Sequence, residues 1–364
     1  MSSSRAYLED PGEIIAAIPA MLGFVPERSL LVVVLKDSAC DPPLDSTHVF
    51  AVMRFDLDLP AEIGNERAEL VAAAVTRLCI SDGATEVLAV VIDDRATVSE
   101  SDSHTALITD LALILADREI GLLGSWATAA IEPGSRWWSL LGRPAQGVIP
   151  DPKSSVVTAM VVAKGQPLYA SRSGRVAAVQ PDHEAVERIG RLLPAARAAV
   201  RRRYAVRRHD GDPDGGSRWG YRRVLGVIAA CETGHVPTDR ESAEIAAVLA
   251  DHRVRDGLLS TGLSNYRRSA ESLWTHLTRT LPGPQRAEAA VLLAYSAYVR
   301  GDGVLAGIAL QTALDADPYH DFAIMLAGAL EIGLDPFNMR QLARHGTEIV
   351  RDLGIQIDPP EGSS

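Results

Sequence analysis

The chain has 364 residues, of which 47% are hydrophobic and 23% charged, and it carries a formal net charge of −11. That length exceeds one ordinary domain and that composition is neither disordered nor fibrous, so two globular domains are expected. The acidic balance excludes a chain that is basic throughout, leaving only local patches to meet nucleic acid or anionic lipid.

Three cysteines, Cys40, Cys79 and Cys231, stand far apart and form no C-x-x-C pair. A disulfide framework and a zinc knuckle are thereby excluded, and a reducing, cytoplasmic setting is expected. The opening MSSSRAYLEDPGE lacks a basic-then-apolar leader, and runs such as LLVVVL and VVTAMVVA are far shorter than the ~20 residues of a spanning helix. No membrane contact is expected.

In chain order, DPGEIIAAIPAMLGF starts a helix, with Asp10 as N-cap, Pro11 at the first helical position and Glu13 where a capping carboxylate sits. Pro19 removes a backbone donor within it, which predicts a kink or a short helix. The β-branched run Leu30 to Leu35 predicts a strand covered on both faces. HVFAVMRFDL gives a second strand, about Pro60 to Leu78 a helix, and EVLAVVIDD a third strand, the alternation of an α/β domain with a mixed sheet and flanking helices. A further helix is predicted over Ser103 to Asp117.

Next, GLLGSWATAAIEPGSRWWSLL holds two extended runs joined by Glu132-Pro133-Gly134-Ser135. Proline presets φ and glycine accepts the positive φ of a type II turn, so a hairpin is predicted. Successive strand side chains alternate faces, so Trp137 and Trp138 cannot share one. One indole enters the core; the other meets a helix, the second domain or a ligand.

Helices follow over Ser155 to Lys164 and from about His183 to Arg208, closing an α/β domain read as residues 1–208. HDGDPDGGS (209–217) reads as a linker, residues 218–350 as an all-α domain, and 351–364 as a disordered tail. Within the α domain, Ala294, Gly301, Ala306, Ala313 and Pro318 fall at the small, turn and exit positions of a tetratricopeptide-like helical hairpin.

The chemical motifs are sparse. GVIPDPKS places Lys153 and Ser154 as in a phosphate-binding loop, but Pro152 replaces the second glycine and removes the N–H that would face phosphate. DGDPDG begins like a calcium loop, yet Arg218 and Tyr221 stand at its ninth and twelfth positions. RRRYAVRR (Arg201 to Arg208), followed by Arg218, Arg222 and Arg223, is the one nucleic-acid-like stretch, and arginines also complement a helix C-terminus. No nucleophile elbow, H-E-x-x-H or G-x-G-x-x-G occurs, so no cofactor or metal is expected and catalysis is left open.

The residue set with most potential for a ligand is Asp93, Asp94 and Arg95, at the carboxyl end of a strand, with Arg136 and one of Trp137 or Trp138 as a wall. Helix capping and loop solvation account for the acids equally well. Taken together, the leading expectation is a non-catalytic binding or adaptor module acting through protein partners. A sensor or enzyme for a small polar ligand at the sheet edge is the alternative, and nucleic-acid binding by the arginine run is the lesser one.

DPGEIIAAIPAMLGFVPERSLLVVVL, GSRWWSLL, GDGVLAGIALQTALDADP and LAGALEIGLDPF resemble, in order, the actinobacterial family called domain of unknown function 4192. The resemblance implies an α/β unit followed by a helical C-terminus and assigns no activity. Many members of that family follow the tryptophan pair with a cysteine and then a cysteine doublet before proline. Gly142, Val148 and Ile149 stand at those places here, so no metal or redox role carries over.

Overall fold

The computed structural model describes residues 10–37, 47–58, 64–96, 102–163, 169, 171–331, 334 and 336–355. The chain divides into two compact units, Met1–Arg175 and Val176–Ser364.

The first unit holds a mixed six-stranded sheet with flanking helices. Its strands are β1 (Ser29–Asp37), β2 (Thr47–Asp56), β3 (Glu86–Ile92), β4 (Gly121–Thr128), β5 (Arg136–Ser139) and β6 (Gln146–Val148). They lie in the order β2-β1-β3-β4-β5-β6, with β3 and β4 parallel and the other neighbours antiparallel. β1 has strands on both sides, and Leu30 to Val34 are at most 1% exposed. Neither face meets water, which is why the strand reads as a continuous apolar run rather than an alternation.

Val32, Val34, Val87, Ala89 and Val91 pack on one face with α2 (Gly64–Asp82) and α3 (Asp102–Ala116). On the other, Val33, Leu35 and Leu88 meet Trp126 and Ile14 of α1 (Pro11–Leu22). The Asp10 carboxylate accepts from Gly12 N at 2.6 Å and starts α1. Pro19 sits inside the helix, which ends four residues later as Gly23 turns to φ 77°. α2 begins at Gly64; residues 59–63, where the sequence placed its start, lie outside the described residues. α4 (Val156–Ala163) and α5 (Arg172–Ala177) follow the sheet.

Three expected boundaries change. The long arginine helix, α6 (His183–His209), belongs to the second unit, because Ile189, Leu193 and Val200 join the helical core. The α/β unit therefore ends near Arg175 and not at Arg208. Residues 209–217 are no interdomain linker but a junction between two packed helices, α6 and α7 (Gly215–Glu232), turning at Gly211 with φ 81°. At the C-terminus, α14 (Pro336–Asp352) continues into Leu353 and Ile355, both buried, and Arg218 Nε donates to Leu353 O at 2.6 Å. Residues 351–355 are thus packed, and 356–364 lie outside the described residues.

Between these helices run α8 (Asp239–Val248), α9 (His252–Leu258), a 3-10 turn (Leu259–Leu263), α10 (Arg267–Thr280), α11 (Gly283–Val299), α12 (Gly303–Ala316) and α13 (Asp321–Glu331). α11 and α12 pack on each other, turning at Gly301 (φ 86°), and the Asp302 carboxylate caps α12 through Leu305 N at 3.0 Å. All residues of α11 from Ala289 to Val299 are buried. α10, α12 and α14 all pack against it. That makes α11 the centre of a bundle, whereas a solenoid helix keeps one face open.

α7 lies close on α6 because it presents glycines. A Cβ at Gly216 would stand 2.6 Å from the Tyr204 ring, and one at Gly220 would stand 2.9 Å from Tyr204 Oη and Val248 Cγ1. Gly216→Ala should therefore lower stability by about 1–3 kcal/mol through overpacking, outweighing the ~1 kcal/mol that alanine adds to helix propensity. Urea denaturation measures this, and a variant as stable as wild type would refute the close approach.

His320 stands just before α13: the neutral ring accepts at Nδ1 from Ala323 N at 3.3 Å, its Nε2 stands 3.4 Å from Glu288 Oε2, and protonation exchanges the Ala323 bond for a charge beside Glu288. The Glu288 carboxylate raises the His320 pKa above its usual value, against the opposing effect of burial. A raised folded-state pKa means stability that is complete below pH ~6.5 and is lost as pH rises through the folded value. Melting temperatures from pH 5 to 8 should show that decline in wild type and not in His320→Asn, whose amide still caps the helix. Parallel profiles for the two proteins would remove the Glu288 pairing.

Candidate functional site

The sheet register assembles a charged cluster at one edge of the first unit. Ser29 of β1 faces Ile92 of β3 and Asp56 of β2, which brings Arg28 and Asp58 beside Asp93, Asp94 and Arg95. Asp93 is 3% exposed. Its Oδ1 accepts from Arg95 N at 3.1 Å and Arg95 Nε at 2.7 Å, and its Oδ2 accepts from Arg95 Nη2 at 3.0 Å. His104 Nε2 of α3 lies 3.1 Å from the same Oδ2. Arg95 Nη1 reaches Asp58 at 3.1 Å, and Arg28 reaches Asp58 at 3.6 Å and Asp94 at 2.8 Å.

The electrostatics follow this geometry. Burial pushes the Asp93 carboxyl up, but hydrogen bonds from the Arg95 side chain and backbone outweigh it and leave the pKa below the usual carboxylate range. Asp94 is lowered chiefly by its hydrogen bond from Arg28, whose own guanidinium is held charged in return. Three carboxylates, two guanidiniums and an imidazole thus run in one series, from Asp94 through Arg28, Asp58, Arg95 and Asp93 to His104. His104 Nδ1 is buried with no hydrogen bond among the described residues. The sequence identified Asp93, Asp94 and Arg95; it missed Arg28, Asp58 and His104, which only the strand register and the packing of α3 bring there.

The proposed wall of that site is built otherwise. β4 and β5 form the predicted hairpin, with Ser135 N donating to Glu132 O at 3.1 Å and Gly134 at φ 84°. Trp138 pairs with Ala127 and joins the α2 and α3 core, whereas Trp137 pairs with Thr128 on the opposite face. There the Trp137 indole lies between glycines: a Cβ would stand 2.7 Å from its Nε1 at Gly147 and 3.0 Å at Gly12. The indoles are 5% and 8% exposed, and Trp137 Nε1 is buried with no hydrogen bond among the described residues. Arg136 is exposed and meets Thr128 through its backbone, accepting from Thr128 Oγ1 at 3.0 Å.

The other sequence motifs resolve structurally. Lys153 and Ser154 lie in a 3-10 turn capped by Asp151, which accepts from Lys153 N at 2.9 Å. Asp212 pairs with Arg218 at 2.8 Å and Asp214 pairs with Arg253, so the calcium-like stretch ties helices together.

In the second unit, a groove of about 550 Å³ runs along α6, lined by Arg197, Val200, Arg201, Tyr204, Arg208 and Asp251 among others. Arg188 and Arg191, earlier in α6, pair with Asp239 and Glu187, and Arg203 stacks on Trp219 at 4.7 Å. Arg197, Arg201, Arg202, Arg207 and Arg208 form no ion pair among the described residues.

No helix among the described residues is long and apolar enough to cross a membrane. No curated protein and no solved structure matches the chain. A family model described as a domain of unknown function (DUF4192) matches residues 11–337, spanning the sheet, the charged cluster and most of the helical unit. The chain belongs to the DUF4192 family.

Proposed function

We propose that the protein is a non-catalytic binding module that acts through protein partners in the cytoplasm. The observation that carries this reading is the contrast between its two charged regions. The acids at the sheet edge are consumed by their own arginines, while the helical unit keeps exposed arginines that have no acid partner among the described residues along a groove. Groups already satisfied have little left to offer a substrate; unpaired guanidiniums beside a concave surface are suited to recognition. The α11 and α12 pair, tetratricopeptide-like in its small residues, supports the unit from within. Cross-linking of the full chain at native abundance, followed by mass spectrometry, tests this: reproducible protein partners are expected, and their absence across replicates would sink the reading.

His104 Nδ1 favours a second reading, a small-ligand sensor or enzyme at the sheet edge, because a buried ring nitrogen with no partner among the described residues calls for an explanation. Thermal shift against a metabolite and nucleotide panel separates the two. Stabilisation of wild type that disappears in His104→Phe would favour a ligand there.

A further inference from the structure

The α6 groove narrows what the partner is. We propose that it holds an acidic, partly apolar segment of another protein, an inference that rests on the binding-module reading above. Arg197, Arg201 and Arg208 recur at helical spacing with Val200, Tyr204 and Ala205, so all face the groove from one side of α6 over about 17 Å. Arginines at a helix end are ordinarily explained by the helix dipole, but that effect fades beyond the last turn. It covers Arg207 and Arg208 and leaves Arg197 and Arg201 unexplained.

The opposite wall is Ala247, Ala250 and Asp251 at the end of α8. Asp251, the one carboxylate among these lining residues, accepts from Ser217 Oγ at 2.6 Å and from Arg253 N at 3.0 Å and also acts on the Tyr204 hydroxyl, so it offsets one of the three guanidiniums. The floor is largely apolar, with cations along one rim. An extended peptide repeats its side chains on one face every ~6.6 Å, close to the ~6 Å axial step between Arg197 and Arg201. Carboxylates at alternate positions would meet these guanidiniums, and the residues between them, on the other face of the peptide, would lie against Ala247 and Ala250 of the opposite wall.

A nucleic acid offers a similar charge spacing but fits less well. Its long polyanion would extend beyond the groove over a chain of net charge −11, whereas a short acidic segment needs only the local field.

The test uses the full chain and a labelled ten-residue peptide of alternating Glu and Val, read by fluorescence anisotropy. Controls are the same peptide with Gln for Glu, and a thymidine oligonucleotide. Binding of the Glu peptide should weaken at least about tenfold in Arg197→Glu/Arg201→Glu and with rising salt. Arg268→Glu, the same kind of charge change on exposed α10 surface, should leave it unchanged. Circular dichroism confirms that the double variant folds. Equal binding of the Gln peptide, an unaffected double variant, or tighter binding of the oligonucleotide would each overturn the proposal. Cross-linked partners that persist on the double variant would reject this surface and spare the binding-module reading; an empty wild-type capture would remove both.

Discussion

Trp137→Ala and Trp138→Ala should each destabilise the first unit by about 3–5 kcal/mol, as removal of a buried indole ordinarily does. Both side chains are almost wholly buried, but they serve opposite faces of the sheet. Trp138 fills the layer shared with α2 and α3, while Trp137 lies between Gly147 of β6 and Gly12 of α1. The two losses should therefore be separable. Gly147→Ala presses on the Trp137 ring, so combining it with Trp137→Ala should cost less than the sum, while combining it with Trp138→Ala should be nearly additive. Urea denaturation of the set decides the matter. An alanine variant within about 1 kcal/mol of wild type would mean that its indole is not packed as described.

The tryptophan pair also marks how far the sequence could be read. Adjacent strand residues must alternate, so the opposite-face placement of Trp137 and Trp138 was legible from two letters. The Pro133-Gly134 turn, the two-sided burial of Leu30 to Leu35 and the start of α1 at Asp10 were equally local, each set by one or two residues. The domain boundary was not local. An arginine-rich helix after the sheet reads the same whichever unit claims it, and only the long-range packing of Ile189, Leu193 and Val200 assigns it to the helical core.

The charged cluster divides in the same way. Asp93, Asp94 and Arg95 follow a recognisable strand and were visible. Arg28, Asp58 and His104 arrive from a strand start, a strand end and a helix separated by tens of residues, and no spacing rule predicts the register that joins them. One local signal was present but unreadable: Arg28 adopts φ 41°, an uncommon value for a residue with a Cβ, at the point where the chain turns into β1. Arg28 pairs there with Asp94 and Asp58, contacts that no inspection of neighbouring letters reveals.

Asp93→Ala and Arg95→Ala should each lower stability by about 1–3 kcal/mol. Both losses follow from burial. Asp93 is buried and accepts bonds from Arg95 at both oxygens and, at Oδ2, faces His104, so its loss leaves the enclosed imidazole with neither nitrogen partnered. Arg95→Ala instead strips the buried Asp93 carboxylate of the side-chain bonds that offset its burial, whereas the Arg95 side chain is 52% exposed and water takes over its bonds when Asp93 is gone. Because the Asp93 pKa is lowered on folding, its contribution is present above the unfolded carboxylate value near 3.8 and fades as pH falls below it. Wild type should thus lose stability in that acid range more steeply than Asp93→Ala. An Arg95→Ala variant within about 0.5 kcal/mol of wild type would contradict a network anchored on Asp93. Asp93→Ala as stable as wild type at neutral pH would show instead that the buried carboxylate is held at a cost, the mark of a group kept for a ligand rather than for the fold.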